Sequence, residues 1–134
     1  MKTLIIEASN DNLYTVNEFI DSFLENEGCS LKAQTQIDLC VEEIFVNIAN
    51  YAYGEGKGNA EISVENNDGK VTITFTDSGI AYNPLEKSDP DTTLSADERQ
   101  IGGLGIFLVK KNMDSVSYEY KDNKNIFSMT KQIK

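Results

Sequence analysis

Apolar residues follow two different periods along this chain, and the switches between them mark out its elements. Lys2-Thr-Leu-Ile-Ile-Glu-Ala8 reads as a short strand. Ser9-Asn10-Asp11 then offers a helix N-cap, and Leu13, Val16, Phe19, Ile20, Phe23 and Leu24 recur at helical spacing as far as Gly28. A second helix is predicted to start near Ser30 and to carry Ile37, Cys40, Val41, Ile44 and Ile48, ending before the breaker run Gly54-Glu-Gly-Lys-Gly58. Two strands follow at about 59–66 and 70–77, joined by the tight-turn triplet Asn67-Asp68-Gly69, with Val71, Ile73 and Phe75 alternating. Residues 78–101 hold both prolines, Pro84 and Pro90, and little periodicity. A loop longer than ~12–15 residues inside a compact domain is uncommon and usually serves as a lid or a binding loop. From Leu104 the helical pattern returns through Ile106, Phe107, Val109 and Met113, and strands near 115–121 and 125–132 follow. No repeat or linker divides the pattern. The expectation is a single α+β domain over residues 1–134, a two-layer sandwich with three helices on one face of a mainly antiparallel (mixed) sheet.

Composition narrows the function. The chain has 134 residues, 40% of them hydrophobic, enough for one buried core. No apolar run approaches the ~20 residues of a membrane span, and the apolar part of the N-terminus is too short for a signal peptide, so a cytoplasmic protein without a membrane is expected. A net charge of −10 argues against direct nucleic-acid binding. There is no histidine, which excludes a Ser-His-Asp hydrolase, a Cys-His nucleophile and a phosphohistidine relay within the chain. Cys29 and Cys40 lack CxxC spacing and read as reduced core thiols. The charge is uneven: residues 99–134 carry seven bases and three acids, and the chain's one arginine, Arg99, opens this segment.

Four features stand out as candidate chemistry. Glu43, Asn47 and Asn50 share one stripe of the second helix, bordering its apolar face, where polar groups need a partner or a ligand. An amide oxygen there suits Mg²⁺, and a carboxylate one turn away suits a general base. Asp77-Ser78-Gly79 closes an apolar strand; its glycine is expected to supply φ > 0, and its carboxylate can accept a hydrogen bond from the exocyclic amine of adenine. The long loop follows. Gly102-Gly103-Leu104-Gly105 then opens a helix, whose first amides form an anion site, with Arg99 three residues upstream.

In that order, Glu-x-x-x-Asn on a helix, Asp-x-Gly after a strand, a lid and Gly-x-Gly on a helix, the chain resembles the Bergerat-fold (GHKL, histidine-kinase-like) ATPases. Within them it is similar to the anti-sigma regulatory factors that are serine/threonine kinases. The resemblance spans nearly the whole chain and rests on Val41-Glu-Glu-Ile-Phe-Val-Asn-Ile-Ala-Asn-Tyr-Ala-Tyr53, Asp77-Ser-Gly-Ile-Ala-Tyr-Asn-Pro84 and Arg99-Gln-Ile-Gly-Gly-Leu-Gly-Ile-Phe-Leu-Val-Lys-Lys-Asn-Met-Asp114, with the stretch from Tyr118 to Asn125 similar to the family's closing hairpin. It implies Glu43 as catalytic base, Asn47 on Mg²⁺, Asp77 reading the adenine amine with Gly79 beneath the ring, Gly103 and Gly105 presenting amides to the phosphates, and Arg99 sensing the γ-phosphate. Asn50 and Leu104 complete the implied ATP-binding set, and the lid spans about 83–101. Tyr51 stands where many relatives carry histidine, and Ala81-Tyr82 where they carry Pro-Phe. The implied function is an ATP- and Mg²⁺-dependent kinase that phosphorylates an antagonist (an anti-anti-sigma, STAS-type protein) and sequesters a sigma factor, with a homodimer left open. The alternative is an ATP-gated interaction module without phosphotransfer.

Overall fold

The computed structural model of the protein describes residues 1–86 and 103–134. Strand β1 (Lys2–Glu7) leads through a 3-10 turn, Asn10–Asn12, into helix α1 (Leu13–Asn26) and helix α2 (Leu31–Tyr51). Strands β2 (Asn59–Asn67) and β3 (Lys70–Asp77) follow, then a second 3-10 turn at Pro84–Glu86, helix α3 (Gly103–Asn112) and strands β4 (Ser115–Lys121) and β5 (Lys124–Gln132). The sheet order is β1-β2-β3-β5-β4. The α+β sandwich expected from the sequence is therefore present, with one correction: every pairing among the described residues is antiparallel. β1, β3 and β4 run one way and β2 and β5 the other, and in this order no two strands of like direction are neighbours.

Local chemistry accounts for most element ends. Ser30 caps α2, its hydroxyl accepting from Ala33 N at 3.1 Å. Ser9 caps the 3-10 turn rather than α1, and the Asn12 side chain donates to Glu7 O at 2.9 Å, so the helix starts at Leu13. Both hairpins turn through left-handed residues, Asp68 and Gly69 in the first and Asp122 and Asn123 in the second, as two-residue hairpin loops require.

Strand period sets what faces the helices. Val71, Ile73 and Phe75 are buried on one side of β3, and the same alternation puts Asp77 on that side at the strand's end. On β5, Asn125, Phe127 and Met129 alternate likewise. Register sets Asp77 directly opposite Asn125. The core is closed from above by Val16, Ile20 and Leu24 of α1 and by Ile37, Val41 and Phe45 of α2. The other side of the sheet is polar: Thr3, Ser63, Thr74, Ser128 and Ser117 form one row across all five strands.

Acidic groups sit between α1 and α2. Burial, a hydrogen bond with Asp21, and the charges of Asp21, Glu25 and Glu42 push the Asp38 carboxyl up to about 8. The Oδ1 atoms of Asn17, Asp21 and Asp38 are all buried without a partner. Because the folded-state pKa lies above the unfolded value of about 3.9, the folded protein holds a proton that the unfolded chain releases, and stability falls as pH rises from about 4 to about 8. Asp38→Asn keeps the shape and supplies a donor to Asp21. Its melting temperature is expected to exceed the parent's by a margin that widens between about pH 5 and about pH 8, measured by thermal unfolding across that range.

Candidate functional site

A cleft of about 500 Å³ opens between α2, the end of β3 and the β4–β5 hairpin. Its walls are largely apolar: Ile44 and Ile48 from α2 and Ala52 at its C-cap, Phe75 from β3, Phe127 from β5, and Ile80, Ala81, Tyr82 and Pro84 from the segment leaving β3. Tyr51, exposed on the last turn of α2, stands at the rim. Few polar groups reach in: Asn47, Asp77, Asn125 and the phenol of Tyr118. A concave apolar slot with a small number of placed polar groups is the form that small-molecule sites take.

Asp77 is only 6% exposed and lies in the cleft wall. Its Oδ1 accepts from Gly79 N at 2.9 Å and from Asn125 Nδ2 at 3.0 Å. Among the described residues Oδ2 carries no hydrogen bond, so one acceptor remains for a ligand. The chain then passes close over the end of α2. Ile80 N donates to Ala52 O at 2.7 Å, and a Cβ at Gly79 would stand 2.1 Å from that same carbonyl oxygen. Gly79 is therefore required by close approach, and its φ is not positive, contrary to the turn geometry expected from the sequence. The Tyr53 hydroxyl ties the same region together. It accepts from Ser78 N at 2.9 Å and donates to Asn59 O at 2.6 Å, and its ring leaves no room for a Cβ at Gly58. Burial pushes this phenol above its ordinary pKa.

From the cleft, α2 leads to the second centre. Asn47 lines the cleft half-buried, and Glu43 lies one turn earlier on the same stripe. Burial, with the neighbouring charge of Glu42, raises the Glu43 carboxyl above the ordinary range. The first turn of α3 reaches this carboxylate: a Cβ on Gly105 would lie 2.2 Å from Glu43 Oε2. A side chain at position 105 would have to push the Glu43 carboxylate aside. Gly103 and Leu104 lie in the same first turn of α3.

The remaining candidates divide. Asn50 is exposed and accepts at 2.9 Å from Asn10 Nδ2, which ties α2 to the first 3-10 turn; it is not among the residues lining the cleft. Arg99 and Gly102 fall outside the described residues, as does the proposed lid beyond Glu86. Asn125 was missed by sequence reasoning. Its signal was present: an amide in the buried register of a strand, two residues before Phe127. No group of three or more His, Cys, Asp or Glu side chains that could hold a metal ion occurs among the described residues.

The family described as the histidine kinase-like ATPase domain matches residues 6–131. A serine/threonine-protein kinase, BtrW of Bordetella bronchiseptica, is 28% identical over 124 residues, covering 92% of this chain and 84% of the kinase. An anti-sigma F factor of Pasteuria penetrans is 29% identical over 99 residues, covering 72% of this chain and 66% of that protein. The structure of the RsbU and RsbW domains of a Mycobacterium tuberculosis protein superposes with a TM-score of 0.70 at 14% identity, over 99% of this chain and 33% of that one, a likeness of fold.

Gly79→Ala tests the packing of this site. The added methyl meets a backbone carbonyl that is anchored in a helix, so a loss of about 1–3 kcal/mol is expected from denaturant unfolding, the usual cost of overpacking. Gly54→Ala is the comparison: nothing lies within 4 Å of its Cβ, and only its positive φ of 57° opposes the change.

Proposed function

We propose that this protein is an ATP-dependent serine/threonine protein kinase, and the premise is kinship: the chain belongs to the histidine kinase-like ATPase domain family. The observation that carries the proposal is a continuous line of chemistry along α2, from the apolar slot and the Asp77 carboxylate, past Asn47, to Glu43 packed against the first turn of α3. The slot takes adenine. Its exocyclic amine donates to Asp77, and a carbonyl in the same place, as in guanine, meets a repelling carboxylate. The phosphates then extend toward the start of α3, where the first backbone amides and the positive helix end favour an anion. The acidic balance of the chain does not oppose this, because these groups act locally.

Asn47 fits a Mg²⁺ held mainly by phosphates and water, since that ion commonly takes only one or two protein oxygens. Bound there, it would neutralise phosphate charge. Arg99, Gly103, Leu104 and Gly105 complete the phosphate end, while Asn50 supports α2 through Asn10. Glu43 acts as the base. As the bond between the γ-phosphorus and ADP breaks, a serine or threonine oxygen of the partner bonds to phosphorus, and its proton passes to the Glu43 carboxylate. Burial makes that carboxylate a stronger base than a solvated one, at the cost of a smaller ionised fraction at low pH. The names of its relatives support a protein acceptor and a sigma-factor role. The partners proposed are accordingly a STAS-type anti-anti-sigma protein and a sigma factor.

Asp77→Asn is expected to weaken ATP binding by roughly tenfold to a hundredfold, the worth of a hydrogen bond to a charged group, as read by calorimetry. Equal affinity in parent and variant would remove the adenine assignment.

Glu43→Gln is expected to keep nucleotide binding and to lose about 10²–10⁴-fold in phosphate transfer. The measurement is incorporation from labelled ATP into a cognate antagonist, beside a binding isotherm. Asn47→Ala should lose both, while Glu42→Ala, exposed and on another face, should lose neither. In the parent, transfer should fall with acid through a pKa above the ordinary glutamate value of about 4.3. Binding without transfer by the parent would instead assign an ATP-gated interaction module.

A further inference from the structure

We infer that Asn125 is a positioning residue for base specificity: it fixes the Asp77 carboxylate and the Gly79–Tyr82 segment in one arrangement, and the Tyr118 hydroxyl fixes Asn125. This deepens the reading of Asp77 as the adenine acceptor and rests on it.

Asn125 is 7% exposed, and both ends of its amide are engaged. Nδ2 donates at 3.0 Å to Asp77 Oδ1 and at 3.0 Å to Ile80 O. Oδ1 accepts from Tyr82 N at 3.1 Å and from the Tyr118 hydroxyl. Turning the amide over would set its NH₂ against the Tyr82 N–H, and its oxygen against a carboxylate and a carbonyl. One orientation satisfies all four partners. Burial raises the Tyr118 phenol, which therefore keeps its proton and donates.

The consequence for Asp77 is geometric. Two donors, Gly79 N and Asn125 Nδ2, converge on Oδ1 and set the plane of the carboxylate. Oδ2 remains as the acceptor presented to the cleft. Nδ2 can only donate, so the atom facing it must accept. A carboxylate held in this way matches an amine and rejects a carbonyl, whereas one free to turn matches either poorly. The same amide bonds Ile80 and Tyr82, whose side chains line the cleft, so one residue sets both the hydrogen-bonding edge and the apolar wall.

The test compares ATP with inosine triphosphate, which carries a carbonyl where adenine carries its amine. Asn125→Ala is expected to lose about tenfold in ATP affinity, with inosine triphosphate affinity unchanged, so the ratio collapses. Tyr118→Phe should shift the ratio in the same direction by less. Asn125→Asp gives a readout that a merely structural role would not move. Its carboxyl can donate to Asp77 only when protonated. The carboxylates of Asp77 on β3 and Glu86 in the Pro84–Glu86 turn favour that proton; the Tyr118 hydroxyl on β4 and the Tyr82 N–H, which donate to the other oxygen, oppose it, and Tyr120 lies opposite on β4. ATP affinity of Asn125→Asp should therefore recover at low pH and fall as pH rises, while the parent changes far less over the same range. Variants that lower both nucleotides equally, that leave the ratio intact, or an Asn125→Asp profile that parallels the parent's, overturn the inference. Should Asn125→Ala fail to fold, Tyr118→Phe and Asn125→Asp decide it by the same criteria. Discrimination erased by Asp77→Asn but kept by the Asn125 variants rejects this inference alone. A ratio that Asp77→Asn leaves intact rejects the reading beneath it.

Discussion

One contact organises the cleft end of this molecule: the chain leaving β3 passes directly over the end of α2, where Ile80 N satisfies the Ala52 carbonyl. Helix ends carry unsatisfied carbonyls, and a strand exit that supplies a donor joins the two layers at the point where both would otherwise fray. The approach is so close that only a glycine fits at position 79. Much follows from it. Asp77 is pinned by the Gly79 amide, Ser78 is held by the Tyr53 hydroxyl, and Ile80 and Tyr82 are delivered to the cleft wall. Binding geometry and fold stability thus share the same few atoms.

Burying a carboxylate is costly unless it is hydrogen-bonded. Asp77 and Asn125 meet that cost jointly, as direct partners across the β3–β5 pair. The contrast with Asp38 is instructive. That carboxyl also lies between packed elements, but its neighbours are acids, its Oδ1 has no partner, and its pKa rises to about 8. The difference lies in the partner set: at the cleft the partners are neutral amide donors. Between the helices, a second carboxyl and further negative charge favour protonation.

How much of this was legible depended on distance along the chain. Helix α2 and its Ser30 cap, the alternation of β3 and the Asn67-Asp68-Gly69 turn are local signals and emerged where expected. The placement of Glu43 and Asn47 on one stripe of α2, and of Asp77 at the end of β3, was legible because helical spacing and strand alternation are local signals. The start of α1 was misplaced because the Asn12 side chain, four residues beyond Ala8, bonds back to Glu7 O. Asn50 read as a ligand-facing amide, whereas its partner is Asn10, forty positions away. Asn125 read as ordinary strand, because its meaning depends on a register that sets it against Asp77, forty-eight residues earlier. A period-2 pattern shows that an inward amide is unusual, but only pairing shows which group it serves.

Glu43 and Gly105 extend the same logic to the other end of the site. A general base must be partly withdrawn from water to be strengthened, yet it must remain reachable by a partner's hydroxyl. The packing of α3 against α2 provides the withdrawal, and a glycine at position 105 lets the backbone approach without displacing the carboxylate. Any larger residue would have to move Glu43 or separate the helices. In the proposed mechanism the helix start that would favour phosphate and the residue that would take the proton are positioned by one contact, so the distance between them does not depend on two independently moving elements. Reacting groups held on rigid elements lose less rate to misalignment than groups carried on loops. On this account the two glycines, 79 and 105, have parallel roles. Each brings backbone within reach of a carboxylate, Asp77 in one case and Glu43 in the other.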